Sequence, residues 1–130
     1  MRIVLDTNVI VSAFINPNGN SSKIVKLILQ KHSKLYINPA ILNEYEEVML
    51  RPKFSSKIDA GLVPRFIDLL KIIGVQFEPL PGKIKLPDES DRIFYDTAIQ
   101  SGSFLISGNL KHYPKEPFIM LPADFLKRLS

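Results

Sequence analysis

Several carboxylates of this sequence stand where they can converge on one point. Asp6 follows an apolar, β-branched run at the start of the chain, and Asp91 and Asp96 belong to one predicted helix. Further acids lie on the predicted helix 38–50. Two like charges 4 Å apart repel each other by about 4 kcal/mol at an effective dielectric of 20. Clustered carboxylates therefore need a cation, or they raise their own pKa values. Oxygen ligands of this kind predict a Mg²⁺ or Mn²⁺ site.

Each of these acids also has a structural interpretation. Asp6 can close its strand as a turn residue, and Asp91 can stabilise its helix dipole by about 0.3–1 kcal/mol. Helical geometry places Glu44 and Glu46 at opposite margins of one apolar face and does not choose between them. Asp96 is the hardest to explain as a surface residue, because few of its neighbours are polar. It lies about 140° around the helix from Asp91, so both reach one centre only if Asp91 is still in the capping turn.

A second polar cluster ends another predicted strand. Residues 107–109, Ser-Gly-Asn, follow the apolar run 104–107, much as residues 6–8, Asp-Thr-Asn, follow the first strand. In open α/β sheets, ligands bind beyond the carboxyl ends of the strands. Asn109 can therefore coordinate or hydrogen-bond at such a site, but it contributes no charge.

Strands that alternate with helices must position these groups. We expect Ser21 or Ser22 to cap the first helix, Asn38-Pro39 to begin the second and Gly74 to end the third. A loop is predicted between the first strand and that first helix, with turn residues at 16–20. The alternation predicts an α/β fold with a mostly parallel sheet. The predicted strands are 2–5, 35–37, 75–77, 104–107 and 118–120, and the predicted helices are 22–31, 38–50, 61–73, 91–101 and 123–129.

Composition narrows the classes of protein further. The chain has 130 residues, enough for a single domain over 1–130, and its net charge of +4 is compatible with a polyanionic partner. It has no cysteine, which excludes disulfides and fits a reducing cytoplasm. His32 and His112 are too far apart for a zinc motif. With no signal peptide and no apolar run of about 18 residues, we expect a cytoplasmic protein without a membrane anchor.

Four segments, which together span essentially the whole chain, resemble the motifs of the PIN-domain family. The similarity is greatest to the VapC-like toxin components of bacterial toxin–antitoxin systems. Segment 3–9 resembles the family's opening strand and first acid, and segment 43–54 resembles the region of its second acid and selects Glu44. Segment 91–98 resembles the helix of the third acid, and segment 105–114 resembles the strand and loop that close the site.

The resemblance implies a three-layer α/β/α domain with a central, mostly parallel sheet. It also implies a Mg²⁺- or Mn²⁺-dependent endoribonuclease, in which a metal-activated water hydrolyses RNA phosphodiesters. Asp6, Glu44 and Asp91 are the expected principal metal ligands. Asp96 is expected as a further ligand or as a base that orients the water. The expected supporting polar groups are Thr7, Asn8, Ser107 and Asn109.

The same resemblance implies several partners. We expect RNA as the substrate, an antitoxin protein docked near the N-terminal helices, and a second copy of the chain in a homodimer. Basic residues near the site can bind RNA phosphates, which supply most sequence-independent affinity. A solvated loop with incidental charge is the alternative for them. These residues are Arg51, Lys53, Lys111 and His112.

Two other functions stay open at this point. Many PIN domains have an Asp where this chain has Asn109, and the loss of that charge favours a fold that binds RNA or protein without cleaving, unless Asp96 supplies a fourth carboxylate. Alternatively, segment 6–9 partly resembles the phosphotransferase loop of the haloacid dehalogenase type, with Asp6 as nucleophile. That loop normally has a second Asp where this chain has Asn8.

Overall fold

The computed structural model describes residues 1–129. Within that range, five strands form a single sheet and six α-helices flank it. The strands are β1 (Arg2–Leu5), β2 (Lys34–Ile37), β3 (Val75–Gln76), β4 (Phe104–Ile106) and β5 (Ile119–Met120). The helices are α1 (Thr7–Ile15), α2 (Asn20–Leu29), α3 (Pro39–Met49), α4 (Val63–Ile73), α5 (Arg92–Ser101) and α6 (Pro122–Leu129).

The sheet is parallel throughout, with the strand order β3-β2-β1-β4-β5. This confirms the predicted α/β class and its three layers. Ile3, Val4 and Leu5 of the central strand are completely buried, as expected of a parallel strand covered on both faces by helices. The chain first builds the sheet outward from β1 to β3 and then returns to add β4 on the other side of β1. The carboxyl ends of β1 and β4 therefore meet at the switch point of the topology, where ligands bind in open α/β sheets.

Asn38 joins three elements of the fold. Its side-chain Oδ1 accepts a hydrogen bond from the Ile41 backbone N–H at 3.0 Å, which caps α3 as predicted, and Pro39 follows at the first helical position. Its Nδ2 donates to the Phe77 carbonyl and to Thr97 Oγ1, both at 3.0 Å. One fully buried amide thus links α3 to α5 and to the segment that follows β3.

The structure corrects two predictions near the N-terminus. Residues 7–15 form α1 where a loop was predicted; the β-branched residues of this segment have weak helix propensity, but α1 packs against α2 and α3 and buries most of its apolar side chains. Ser21 and Ser22 do not cap α2. They are buried inside that helix, and Gly19 occupies the N-cap position without a side-chain hydrogen bond.

Glycine ends two of the helices for different reasons. Gly74 ends α4 as predicted, but its φ of −78° is accessible to any residue. A Cβ at this position would lie 2.6 Å from Ile37 Cδ1 and 2.7 Å from the Leu70 carbonyl oxygen, so contacts with β2 and with the last turn of α4 together require glycine. Gly102 ends α5 in the left-handed region, with a φ of 69°.

The helices differ in what they cover. The helix α5 packs against the three central strands β1, β2 and β4, whereas α1, α2, α3 and α4 form a connected group of helices. Among residues 1–129, no helix has the length and apolar character needed to cross a membrane.

Replacing the buried Asn38 amide should destabilise the fold. We expect Asn38→Ala to lower the free energy of unfolding by about 2–4 kcal/mol, because it removes a helix cap worth about 1 kcal/mol and leaves buried partners unsatisfied at about 1–3 kcal/mol. Urea unfolding measures this. The matched control is Asp59→Ala, which removes an exposed cap on the Gly61 backbone N–H. Equal losses in the two variants would contradict this role of Asn38.

Candidate active site

Asp6 lies at the switch point, directly after β1. Its backbone N–H continues the pairing with β4 by donating to the Ile106 carbonyl at 3.0 Å. Its carboxylate is 5% exposed and leaves the start of α1 uncapped. Ser107 Oγ donates to Asp6 Oδ2 at 2.8 Å, and Tyr113 Oη donates to the same oxygen at 2.9 Å. Two hydroxyl donors thus hold this buried carboxylate at the edge of the sheet.

Glu44 reaches the site from α3. Thr7 Oγ1, in the first turn of α1, donates to Glu44 Oε2 at 2.7 Å. The neighbouring Tyr45 fixes the helix to the sheet, because its buried hydroxyl donates to the Leu5 carbonyl at 2.6 Å. Glu46, the alternative that helical geometry left open, lies instead in a separate cavity between α3 and α4. The selection of Glu44 thus agrees with the position of its carboxylate.

Asp91 reaches the site from a 3-10 turn, Glu89–Asp91, that leads into α5. Its side chain is 13% exposed, and its buried Oδ2 has no hydrogen-bond donor among residues 1–129. Burial first, and the negative charge of Asp6 second, raise the pKa of Asp91 to about 6. His112 lowers it, and the smaller contributions of Asp88 and Glu44 raise it. Burial and like charge both disfavour the ionised form of a carboxyl group.

His112 and Asn109 form a pair beside Asp91. The His112 Nδ1 lies 3.1 Å from Asp91 Oδ2, and its Nε2 lies 2.8 Å from Asn109 Nδ2. The Asn109 backbone N–H donates to Ser107 Oγ at 3.0 Å, which ties this loop to the donor that holds Asp6. The sequence prediction placed His112 among the RNA contacts. The structure turns its ring toward the Asp91 carboxylate and leaves it partly exposed in the site, so the RNA contact stays a prediction.

The structure does not bring Asp96 to the other acids. Asp91 is in the capping turn, as convergence required, but the Asp96 side chain lies 3.4 Å from Arg92 Nη1 and accepts from the Gly82 backbone N–H at 2.9 Å. Arg92 in turn donates to the Gly82 and Ile84 carbonyls. Asp96 therefore fastens the segment that precedes the Asp91 turn to α5. A Cβ at Gly82 would clash with the Asp96 carboxylate, so the segment passes close to α5 only as glycine.

Two residues of the site were missed by the sequence reasoning. Tyr113 belongs to the segment 105–114 that carries the resemblance, but nothing local marked its hydroxyl as a partner of Asp6. Burial, followed by the charges of Asp6 and Asp91, raises the pKa of Tyr113, which keeps its hydroxyl protonated as a donor. Asp88 caps the 3-10 turn by accepting from Ser90. The sequence offered one signal for Asp88, which is its position three residues before Asp91 at the start of a predicted helix.

The three carboxylates line one cleft of about 590 Å³. Arg51 and Lys53, which follow α3, line the same cleft as His112, so three of the four predicted basic residues are within reach of a bound polyanion. Asn8 also lines it, and its Oδ1 accepts from the Gly108 backbone N–H at 2.9 Å. Lys111 does not line this cleft; it lies at a different, mainly apolar cavity of about 650 Å³.

Comparison with known proteins identifies the family. The family model of the PIN domain matches residues 2–111 of the chain. The chain belongs to the PIN-domain family. A further relative is the uncharacterized protein MJ1680 of Methanocaldococcus jannaschii, which is 31% identical over 110 residues, or 84% of this chain and 71% of that protein.

A solved structure supports the same PIN fold. The crystal structure of VapBC2 from Rickettsia felis, bound to a DNA fragment from their promoter, contains a similar chain. The TM-score is 0.57 at 19% identity, and the similarity covers 93% of this chain and 97% of that one. The family and the fold that the four segments predicted are therefore confirmed.

The residues of this PIN domain fit a divalent cation. PIN domains are generally nucleases that bind divalent metals through acidic residues. Here the cleft presents Asp6, Glu44 and Asp91, which are hard oxygen ligands of the kind that Mg²⁺ and Mn²⁺ take. The buried Asp91 Oδ2 without a donor is the group that a cation would satisfy. A cation would also offset the repulsion that raises the pKa of Asp91.

The raised pKa of Asp91 predicts a pH-dependent stability in the absence of metal. Since the folded-state pKa of about 6 exceeds the usual value of 3.8, the folded state binds the proton more tightly, and stability falls as the pH rises from about 4 to about 6. We expect Asp91→Asn to be more stable than the wild type at pH 7 and to lose that advantage near pH 4. Urea unfolding with EDTA at several pH values measures the difference.

The control for this prediction removes a carboxylate from an exposed position. Asp68→Asn, on α4, breaks only a surface contact with Lys71. Its stability relative to the wild type should change little over the same pH range. A difference between Asp91→Asn and the wild type that is constant from pH 4 to pH 7 would contradict the interpretation of Asp91.

Proposed function

We propose that this PIN domain is a metal-dependent endoribonuclease and the toxin component of a toxin–antitoxin system. The observation that carries the proposal is the convergence of Asp6, Glu44 and Asp91 on one cleft at the switch point of the sheet. They come from β1, α3 and the turn before α5, so only the folded chain brings them together. The pKa of Asp91, raised to about 6, fits a site that binds a cation.

The residues of the site fall into two groups: those proposed to bind the cation and those that orient the ligands. Asp6, Glu44 and Asp91 are the proposed metal ligands. Ser107 and Tyr113 orient Asp6, and Thr7 orients Glu44, through the hydrogen bonds described above. Such partners of the ligands set ligand geometry in metal sites. The chemistry that a divalent cation supplies here is activation of a water molecule and neutralisation of the charge that develops on the phosphodiester.

The basic residues at the cleft support a nucleic acid substrate. Arg51 is about half exposed, and its only ion pair among residues 1–129 is a contact of 3.7 Å with the exposed Glu47. Its guanidinium can therefore exchange this weak partner for a phosphate. Lys53 lies over the Phe54 ring, with Nζ 5.0 Å from the centroid. Both side chains stand at the rim of the cleft that holds the acids. We propose that they bind the phosphates flanking the scissile bond, with Lys111 further along the strand.

The toxin role and the partners rest on family and fold. The VapBC2 structure from Rickettsia felis pairs its components on promoter DNA, and the present chain shares the fold over nearly its whole length. We therefore propose an antitoxin protein as a partner, a homodimer as the assembly and cytoplasmic RNA as the substrate. Membership in the PIN family gives no support to the phosphotransferase alternative, in which Asp6 would be the nucleophile.

Removing one proposed ligand should abolish cleavage of RNA. We expect Asp6→Asn and Glu44→Gln to lower the rate with Mn²⁺ or Mg²⁺ at least 100-fold, equivalent to about 2.7 kcal/mol, because each loses a charged ligand. Gel analysis of a mixed RNA substrate, using protein freed of any bound partner, measures the rate. Glu46→Gln is the matched control on the same helix, and EDTA should stop cleavage by the wild type.

The outcomes of this experiment separate the remaining alternatives. Cleavage that persists in Asp6→Asn at the wild-type rate would contradict the assignment of the site. The absence of cleavage by the wild type, together with the absence of Mn²⁺ binding in calorimetry, would contradict the enzyme and favour a PIN fold that only binds RNA or protein.

The two basic residues at the cleft should contribute to the salt dependence of RNA binding. On the inactive Asp6→Asn background, we expect Arg51→Ala and Lys53→Ala each to weaken binding and to reduce the slope of log affinity against log salt by about 0.7. Titrations of fluorescent single-stranded RNA at several salt concentrations measure the slope. Lys71→Ala, on the exposed side of α4, is the control. If the slopes of Arg51→Ala and Lys53→Ala equal the slope of this control, phosphate contacts at the cleft are contradicted.

A further inference from the structure

We propose that His112 is a nitrogen ligand of the metal site and that the site therefore selects a transition-metal ion such as Mn²⁺ over Mg²⁺. This inference rests on the proposed function, since it concerns the ion held by the same cleft. The three proposed carboxylate ligands are the expected hard donors. An imidazole beside Asp91 changes the preference of the site. Mg²⁺ is held by carboxylates and water, whereas the affinity of a site that contains nitrogen ligands rises along the first-row transition ions from Mn²⁺ to Cu²⁺.

The distance between His112 and Asp91 is the spacing of two adjacent ligands. Two donor atoms at about 2.1 Å from an octahedral ion and at right angles to each other lie about 3.0 Å apart. The His112 Nδ1 and Asp91 Oδ2 are 3.1 Å apart. They are not aligned as a hydrogen bond, and Oδ2 has no donor among the described residues. The two atoms are thus close enough to bind one ion together.

Asp88 completes a compact group of donors around the same point. One ligand atom from each of Asp88, Asp91 and His112 lies within 4.8 Å of the other two. Asp88 is exposed and already accepts two hydrogen bonds from Ser90, so it can reach the ion only at the open side of the cleft. The imidazole and Asp91 are the more enclosed pair, and His112 lines the cleft with Asp6 and Glu44.

Asn109 supplies the second partner that a ligating histidine needs. Histidine ligands almost always hydrogen-bond through the other ring nitrogen, which fixes the ring and the tautomer. The Asn109 amide lies 2.8 Å from Nε2 and is itself held through its backbone N–H on Ser107 Oγ. The oxygen and nitrogen of an amide are interchangeable in shape. With the Asn109 amide turned over, its Oδ1 accepts a hydrogen bond from Nε2–H, which leaves the Nδ1 lone pair for the ion. An amide is neutral, so it orients the ring without adding negative charge.

Pulsed electron paramagnetic resonance of the Mn²⁺-loaded protein tests this assignment directly. We expect coupling of the ion to an imidazole ¹⁴N nucleus in the wild type, loss of that coupling in His112→Ala, and its retention in His32→Ala. His32 is the other histidine of the chain and is exposed, away from the cleft. His112→Gln, which keeps a polar side chain of similar reach, serves if the alanine variant does not fold.

Calorimetry gives the matching affinities. We expect His112→Ala to weaken Mn²⁺ binding roughly 10- to 100-fold and Mg²⁺ binding much less, and Asn109→Ala to weaken Mn²⁺ binding in the same direction. Absence of ¹⁴N coupling in the Mn²⁺-loaded wild type would overturn the inference, and so would equal losses of both ions in His112→Ala.

The outcomes also separate this inference from the proposed function. A wild type that binds Mn²⁺ and cleaves RNA without ¹⁴N coupling would refute the histidine ligand and leave the nuclease intact. A wild type that binds no Mn²⁺ would refute both.

Discussion

The repulsion among carboxylates at the carboxyl end of β1 is the constraint on which the site depends. Asp6 is nearly buried there, and Glu44 and Asp91 arrive from two other elements. Hydroxyl donors offset the charge on Asp6 and Glu44, whereas one buried oxygen of Asp91 has no such donor in the described part of the chain. Burial, followed by the charge of Asp6, raises the pKa of Asp91. A fold that assembles charges against their repulsion is ready for a cation, because only a positive charge relieves all three together.

Rigid connections outside the cleft keep these groups in place. The buried Asn38 amide joins α3 to α5 and to the segment after β3, while Tyr45 ties α3 to β1. Arg92 and Asp96 hold the segment 82–84 against α5, a few residues before the turn that carries Asp91. Metal sites require ligands held by such supporting contacts, since a loosely held ligand set loses both affinity and selectivity. Asp96 thus contributes to the site indirectly, because it holds the backbone of the segment that leads to the Asp91 turn.

The loop after β4 connects Asp6 to Asp91 through a series of polar contacts. Ser107 contacts both Asp6 and the Asn109 backbone, and Asn109 contacts His112, which lies against Asp91. Asn109 therefore has a partner and a place in the site although it carries no charge. In the proposed site, Asn109 orients His112 instead of supplying a charge. His112 as a ligand would then set which ion the proposed nuclease uses.

The sequence by itself determined the fold class, the order of most elements and the family. Apolar strands alternating with capped helices specify a parallel sheet through local signals, such as Asn38-Pro39 at the start of α3 and Gly74 at the end of α4. It also placed Asp6 and Asp91 at element ends, where side chains face a sheet edge. The helix α1 escaped prediction because tertiary burial outweighs the weak helix propensity of its β-branched residues.

Only the tertiary structure decided which polar groups meet. Asp91 and Asp96 are only five positions apart, at the start of α5 and within it. Asp91 faces the cleft, yet Asp96 faces Gly82 and Arg92. Helical geometry left Glu44 and Glu46 equivalent until α3 was packed on the sheet. Tyr113 lies more than 100 residues from Asp6, and His112 lies more than 20 residues from Asp91, the acids that they contact. Contacts over such separations depend on packing between elements, and no local pattern of the chain encodes them.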